Sequence, residues 1–446
     1  MKKDLTQGNV TKNMLLFAGP MILGNLLQQF YNIADTLIVG RFLGPDALAA
    51  VGSAYTLMTF LTSILIGMCM GCGALFSYYF GRKEIGRMQS CMQLSFLLIG
   101  GAAVLLNLAV MLFSRPILRL LQTPAELMEM MHTYVWIIFT GLFFVFLYNY
   151  FAYLLRAVGN SVVPLYFLGS TALLNIILDL VFVMVFRFGI GGAAAATVIA
   201  QAVSGIGLMA YTWIREPNLR FSRQSQTEEK ASMAEILRFS FSSSIQQSVM
   251  NFGILLIQGL VNSFGAVVMA AFAAAVKIDS FAYMPAQEFG NAFSLFISQN
   301  HGAGREDRVK QGMKSALRIS MAFCIGVSLL IFLFAPYLMM LFVRPEETAI
   351  ISVGVGYLRV EGAFYCGIGI LFLLYGYYRG INRPEMSLVL TVISLGTRVL
   401  LAYLLAPIPS VGVFGIWSAI PIGWILADVT GLLYMKKPSG KNPKNA

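Results

Sequence analysis

The chain has 446 residues, of which 58% are hydrophobic and only 11% charged, with a formal net charge of +11. Soluble domains carry about 25% charged residues, so this composition excludes a water-soluble globular protein. Five cysteines (Cys69, Cys72, Cys91, Cys324 and Cys366) fall in apolar contexts, and the C-x-x-C of Cys69 and Cys72 has no further Cys or His beside it. They read as small packing residues rather than a metal or redox site.

Polar and turn-rich breaks divide the chain into twelve predicted membrane spans, near residues 14–39, 47–79, 91–113, 131–155, 162–186, 190–214, 236–263, 267–299, 315–343, 350–378, 385–406 and 411–434. Each holds about 20 or more mostly apolar residues, enough to cross roughly 30 Å of hydrocarbon, and the longer ones imply tilt. The segment Met1–Asn13 is polar, and the apolar run behind it continues to about Val39. That is too long for the core of a cleavable signal, so it reads as a retained first helix. Within it Pro20 permits a bend. Asn25, Gln28, Asn32 and Asp35 follow at spacings of 3, 4 and 3, along one helical face. Such a stripe belongs in a protein interior or a water-filled cavity, because a charge at mid-bilayer costs at least about 2.5–3.5 kcal/mol.

Span five carries Asn175 and Asp179 on one face, and the Gly191-Gly192 turn after it folds span six back so that Thr197 runs antiparallel to them. Two carboxylates, an amide and a hydroxyl make an oxygen-rich set that suits either a small cation or a shared proton. Arg215–Arg238 is the longest polar connection and reads as a linker. On span seven, Gln247, Asn251, Gln258 and Asn262 form a second polar stripe, suited to a cavity wall or to joining helices. Lys277, Asp279 and Glu288 on span eight, Arg398 on span eleven and Asp428 on span twelve read as structural ion pairs; Lys277 is also a candidate regulatory charge.

The halves resemble each other at an offset near 222. "LGPDALAAVGSA" (Leu43–Ala54) lies against "FGAVVMAAFAAA" (Phe264–Ala275), "SYYFGRKEIGR" (Ser77–Arg87) against "SQNHGAGREDR" (Ser298–Arg308), and "FGIGGAAAA" (Phe188–Ala196) against "VGVFGIWSA" (Val411–Ala419). An even number of spans per half makes the repeats parallel. The expected fold is therefore all-α and integral to the membrane: twelve transmembrane helices in two six-helix lobes related by a pseudo-two-fold axis along the membrane normal. The expected boundaries are 1–214 for the N-terminal lobe, 215–235 for a cytoplasmic linker and 236–446 for the C-terminal lobe. Asp35 and Asp179 face leucine or isoleucine in the second half (Leu256 or Ile257, Leu400 or Leu401), so the first half reads as the site of ion chemistry.

Of the 31 Lys and Arg residues, 23 fall in breaks on the N-terminal side of the membrane, 6 on the other, and Lys277 and Arg398 lie within spans. This bias predicts that both termini are cytoplasmic. It also accounts for the net charge without a nucleic-acid partner. There is no nucleotide-binding P-loop, and His132 and His301, both near span ends, join no nucleophile or metal-ligand cluster. ATP-driven transport and a membrane enzyme are both disfavoured on that ground.

"DTLIVGRFLG" (Asp35–Gly44), "LLRAVGNSVVP" (Leu154–Pro164), "LNIILDLVFVMVFRFGIGGAAAAT" (Leu174–Thr197) and "SQNHGAGR" (Ser298–Arg305) together resemble motifs of the multidrug and toxic compound extrusion (MATE) family. The resemblance spans essentially the whole chain. It implies a secondary antiporter of a bacterial-type plasma membrane that expels drug-like, often cationic compounds in exchange for H+ or Na+. No other cofactor, no nucleic acid and no obligate protein partner is expected beyond the lipid bilayer. Asp35, Asn175, Asp179 and Thr197 match the family's N-terminal ion site. Met250 and Ile368 stand near where one branch has acids on spans seven and ten, so the chain is similar to the branch whose ion site lies in the N-terminal lobe. Gln28, Asn32, Gln247, Asn251 and Gln258 are candidates for the substrate cavity. A flippase for lipid-linked saccharides is the alternative of related architecture.

Overall fold

A computed structural model describes residues 4–120, 123–221 and 232–436. Residues 222–231 of the expected linker, and both chain ends, lie outside the described residues. Among the described residues there are fourteen α-helices and no strand. The first half holds α1 (Val10–Leu43), α2 (Pro45–Gly81), α3 (Ile85–Leu120), α4 (Met128–Thr140), α5 (Leu142–Ala157), α6 (Val162–Leu180) and α7 (Gly189–Arg215). The second holds α8 (Met233–Asn262), α9 (Ala266–Gly302), α10 (Glu306–Met340), α11 (Thr348–Gly362), α12 (Tyr365–Gly380), α13 (Pro384–Leu405) and α14 (Val413–Lys436).

Ten of these helices are each long and apolar enough to cross a membrane, and the remaining four form two bent pairs, α4 with α5 at 41° and α11 with α12 at 52°. Counting each pair as one span makes twelve, six in each half. The bends fall at Gly141 and at Ala363–Phe364, 222 residues apart. They are the fourth and tenth spans, so the repeat read from short motifs extends to a backbone irregularity that no motif announces.

Helix α3 shows how the chain meets lipid. Leu97, Leu105, Leu112 and Leu120 are 69–83% exposed along one face, a stripe that water would not tolerate. Its inward face carries Ser95, Gly100 and Ala103 with Cys91 and Met92, small side chains that let neighbouring helices approach closely.

By contacts the chain forms two compact units, one of Met1–Ser248 with Ser298–Arg308 and one of Val249–Ile297 with Val309–Ala446. Each has its own apolar core, the first around Phe76, Phe146, Tyr150 and Phe151, the second around Phe272, Tyr357, Tyr365 and Trp417. The units therefore do not coincide with the halves of the sequence, because the motif that ends α9 packs into the first unit. There a methyl on Gly81 would overlap the carbonyl oxygen of Gln299, and a methyl on Gly302 that of Tyr78. Positions 78 and 81 are those of 299 and 302 at the repeat offset, so the two copies of the motif meet reciprocally, backbone on backbone. The segment before α1 is tied down at the same place. Arg308 donates to the carbonyls of Leu5, Gln7 and Gly8 at 3.1, 3.2 and 2.8 Å, and Gln299 Oε1 accepts from the Leu5 N–H at 2.9 Å.

Candidate functional site

The site of the first unit is assembled by three helices. Helix α1 packs on α6, and α6 on α7. Helix α6 ends in a π-helical turn, Val181–Val185, directly after Asp179 and Leu180, an irregularity often found at functional sites. The chain then reverses through Arg187 and Gly189, both with positive φ of 55° and 60°, a conformation glycine adopts at no steric cost. Phe182, Phe186 and Phe188 cluster around this turn with ring centroids 5.4–6.1 Å apart. The reversal sets α7 antiparallel to α6 and brings Thr197 beside Asn175 and Asp179.

All three of these residues are buried. With the Asn175 amide turned so that donor faces acceptor, its Nδ2 donates to Asp179 Oδ2 at 3.0 Å, and its Oδ1 accepts from the Thr197 N–H at 3.3 Å. The Thr197 hydroxyl donates to the Ala193 carbonyl at 3.2 Å. From α1, the Asp35 carboxyl comes within hydrogen-bonding reach of Asp179. Neither carboxylate can donate while both are ionised, so this pairing requires a proton between them or a cation beside them. One oxygen of each acid, Oδ1, is buried without a hydrogen-bond partner among the described residues. The four residues predicted from sequence therefore meet at one place.

Two residues that the sequence reading passed over complete the site. The Tyr31 hydroxyl is within reach of Thr197 and lies close to both acids, and Tyr134, buried on α4, is near enough to interact electrostatically with the same group. Tyr31 stands one helical turn before Asp35, on the same face, and that spacing was the available signal. Tyr134 comes from a distant span and left none. The assembled donors are all hard oxygens, which suit a proton or an alkali cation rather than a soft metal.

The proposed cavity residues are not all gathered. Gln28 is exposed on α1, and Asn32 and Gln247 are half-buried in the first unit. In the second unit Gln258 donates to Asn262 at 2.9 Å along its own helix, while Asn251 lines a partly open cavity. Lys277 is exposed on α9, on a different face from Asp279.

The second half holds an acid group of its own, built around the Asp279 already noted on span eight. Asp279 on α9 is buried and accepts from the hydroxyls of Tyr365 and Tyr357 at 2.6 and 3.4 Å. Glu361, buried at the end of α11, is within hydrogen-bonding reach of Asp279, and Arg398 on α13 acts on both. At the repeat offset these three face Met58, Phe139 and Ile176. The halves carry buried charge at non-equivalent positions, so comparing one half with the other could not reveal it.

An all-helical chain with twelve spans and an acid pair shared between spans one and five, Asp179 buried and Asp35 half-buried, is a polytopic membrane transporter. It belongs to the MatE family, whose model matches residues 20–181 and 242–404, one stretch in each half. The chain is 33% identical to the probable multidrug resistance protein YpnP of Bacillus subtilis (strain 168), over 88% of this chain and 87% of that one. It is 24% identical to the probable multidrug resistance protein NorM of Thermotoga maritima, over 98% and 94% of the two chains. A solved structure described as the outward-facing conformation of a multidrug resistance MATE family transporter superposes with a TM-score of 0.90, at 23% identity and over 96% of each chain.

Proposed function

We propose that this MATE-family transporter is a secondary antiporter that exports small organic, often cationic compounds in exchange for H+ or Na+ by alternating access, with Asp35 and Asp179 taking up the coupling ion. The observation that carries the reading is the convergence of Asp35 from α1 with Asp179 from α6. Two carboxylates held together out of bulk water repel unless a proton or cation joins them. Occupancy of the pair therefore changes the free energy of drawing α1 and α6 together. Asn175 fixes the orientation of Asp179, and Thr197 and Tyr31 offer further oxygens to the ion.

In this cycle the ion enters from outside as substrate leaves, and it departs to the cytoplasm when the inward-facing state admits the next substrate. Pro20, a little over four turns before Asp35 in α1, removes a backbone hydrogen bond there and supplies a place where α1 can bend as the pair fills. Solved relatives described as bent and straight conformations fit such a motion. The positive-inside bias supports cytoplasmic termini in a bacterial-type plasma membrane. A saccharide-phosphate flippase is less favoured, since the site offers acids and amides where a phosphate would need cations.

The test is efflux of ethidium and norfloxacin from proteoliposomes with sodium and proton gradients imposed separately. One gradient is expected to drive transport. Asp35→Asn and Asp179→Asn are each expected to abolish the driven component while inserting normally; near-normal antiport in both would remove the coupling role.

A further inference from the structure

The second unit contains a partly open cavity of about 190 Å³ that the transport reading leaves unused. Its walls are aromatic, with Tyr283, Phe372, Tyr375 and Trp424, and Asp279, Glu361 and Arg398 line it as well. Asp279 is held by two tyrosine hydroxyls. Glu361 is only 1% exposed, and its Oε1 has no hydrogen-bond partner among the described residues; the same is true of Arg398 Nε. Arg398 is near enough to act on both acids, yet among the described residues no ion pair joins it to either. Groups of opposite charge thus face one small space without neutralising each other at contact distance.

We infer that this cavity binds a small aromatic zwitterion, its ammonium at Glu361 and Asp279 and its carboxylate at Arg398. A simple cation would satisfy Glu361 but meet repulsion from the guanidinium, and a simple anion would meet the reverse. A ligand with one charge of each sign satisfies both ends, and its ring packs between the aromatic walls. The volume limits its size. Drug-sized ligands occupy pockets of roughly 300–1,000 Å³, so this cavity takes a molecule of amino-acid size, or a comparably small amphoteric end of a larger one. Because binding here needs no gradient and none of the residues of the first unit, the inference stands or falls separately from the coupling mechanism.

Three matched probes test it by calorimetry on the full-length protein in lipid nanodiscs: 4-(aminomethyl)benzoate, 4-methylbenzylamine and 4-methylbenzoate. The zwitterion is expected to bind at least about tenfold tighter than either singly charged probe. Arg398→Gln is expected to reduce the zwitterion to the affinity of the amine, and Glu361→Gln to that of the benzoate. Equal binding of amine and zwitterion overturns the inference. So does an Arg398→Gln variant that binds the zwitterion as well as wild type, which would make Arg398 an internal counter-charge only. Binding of none of the three overturns it too. The wild-type comparison decides alone if a variant fails to fold.

Discussion

Asp35 and Asp179 sit 144 residues apart in sequence and share one site because of what surrounds them. Asp179 follows Asn175 by one turn, so a single helix face supplies both the acid and the amide that orients it. Thr197 reaches them because a π turn and a positive-φ glycine reverse the chain within a few residues. Tyr31 adds one hydroxyl through Thr197. Removing it while keeping the ring tests that contribution. Tyr31→Phe is expected to raise the ion concentration for half-maximal efflux roughly fivefold, in keeping with one hydrogen bond of about 1 kcal/mol. An unchanged ion dependence would leave Tyr31 a packing residue. Lys277 is exposed on α9 and is expected to tolerate Lys277→Gln without a change in ion dependence, which efflux assays on the same preparation would check.

The helices show where the backbone itself is constrained. At the reciprocal contact of α2 with the end of α9, any side chain larger than hydrogen at Gly81 or Gly302 meets a carbonyl oxygen of the facing motif. Gly81→Ala and Gly302→Ala are each expected to lower the thermal midpoint in detergent, by an overpacking cost of about 1–3 kcal/mol. Gly101→Ala in α3, where nothing lies within 4 Å, is the contrast. Alanine is the better helix former there, so its midpoint is expected to hold or rise. Arg308 tests the tether of the N-terminal segment, since it alone donates to three of that segment's carbonyls. Arg308→Gln is expected to speed amide exchange at residues 5–8 by about tenfold, the consequence of releasing charge-assisted hydrogen bonds; unchanged protection would show that Gln299 and Asn300 suffice.

For the whole molecule, the two halves repeat in spans, in turns and in the bends of the fourth and tenth spans, but not in chemistry. The first unit concentrates two acids with an amide and hydroxyls. The second places two acids and an arginine on other spans, around an aromatic cavity. A symmetric ancestor of the fold would constrain where helices run and bend, whereas the burial of a charge depends on the few side chains beside it. Topology is testable at this scale. A cysteine at Glu126, after α3, is expected to react with an impermeant maleimide from outside cells, and one at Lys83, after α2, is expected to be protected until the membrane is opened. The opposite pattern would invert the orientation read from the basic residues.

Composition, span lengths and the Lys and Arg bias were enough to place this chain in a membrane with twelve helices, because hydrocarbon imposes a length and a polarity on any segment that crosses it. The four residues of the first site were legible for a related reason: a carboxylate or amide on an apolar helix needs a partner, and short spacings named the faces. The cavity of Asp279, Glu361 and Arg398 was not legible. Its members come from three spans and have apolar counterparts in the other half, so Asp279 and Arg398 read from sequence as charges on separate spans. Only the packing of α9, α11 and α13 decides that they face one space. Tertiary structure also decided that the end of α9 belongs to the first unit, since two backbones approaching through glycine leave no pattern of side chains to read.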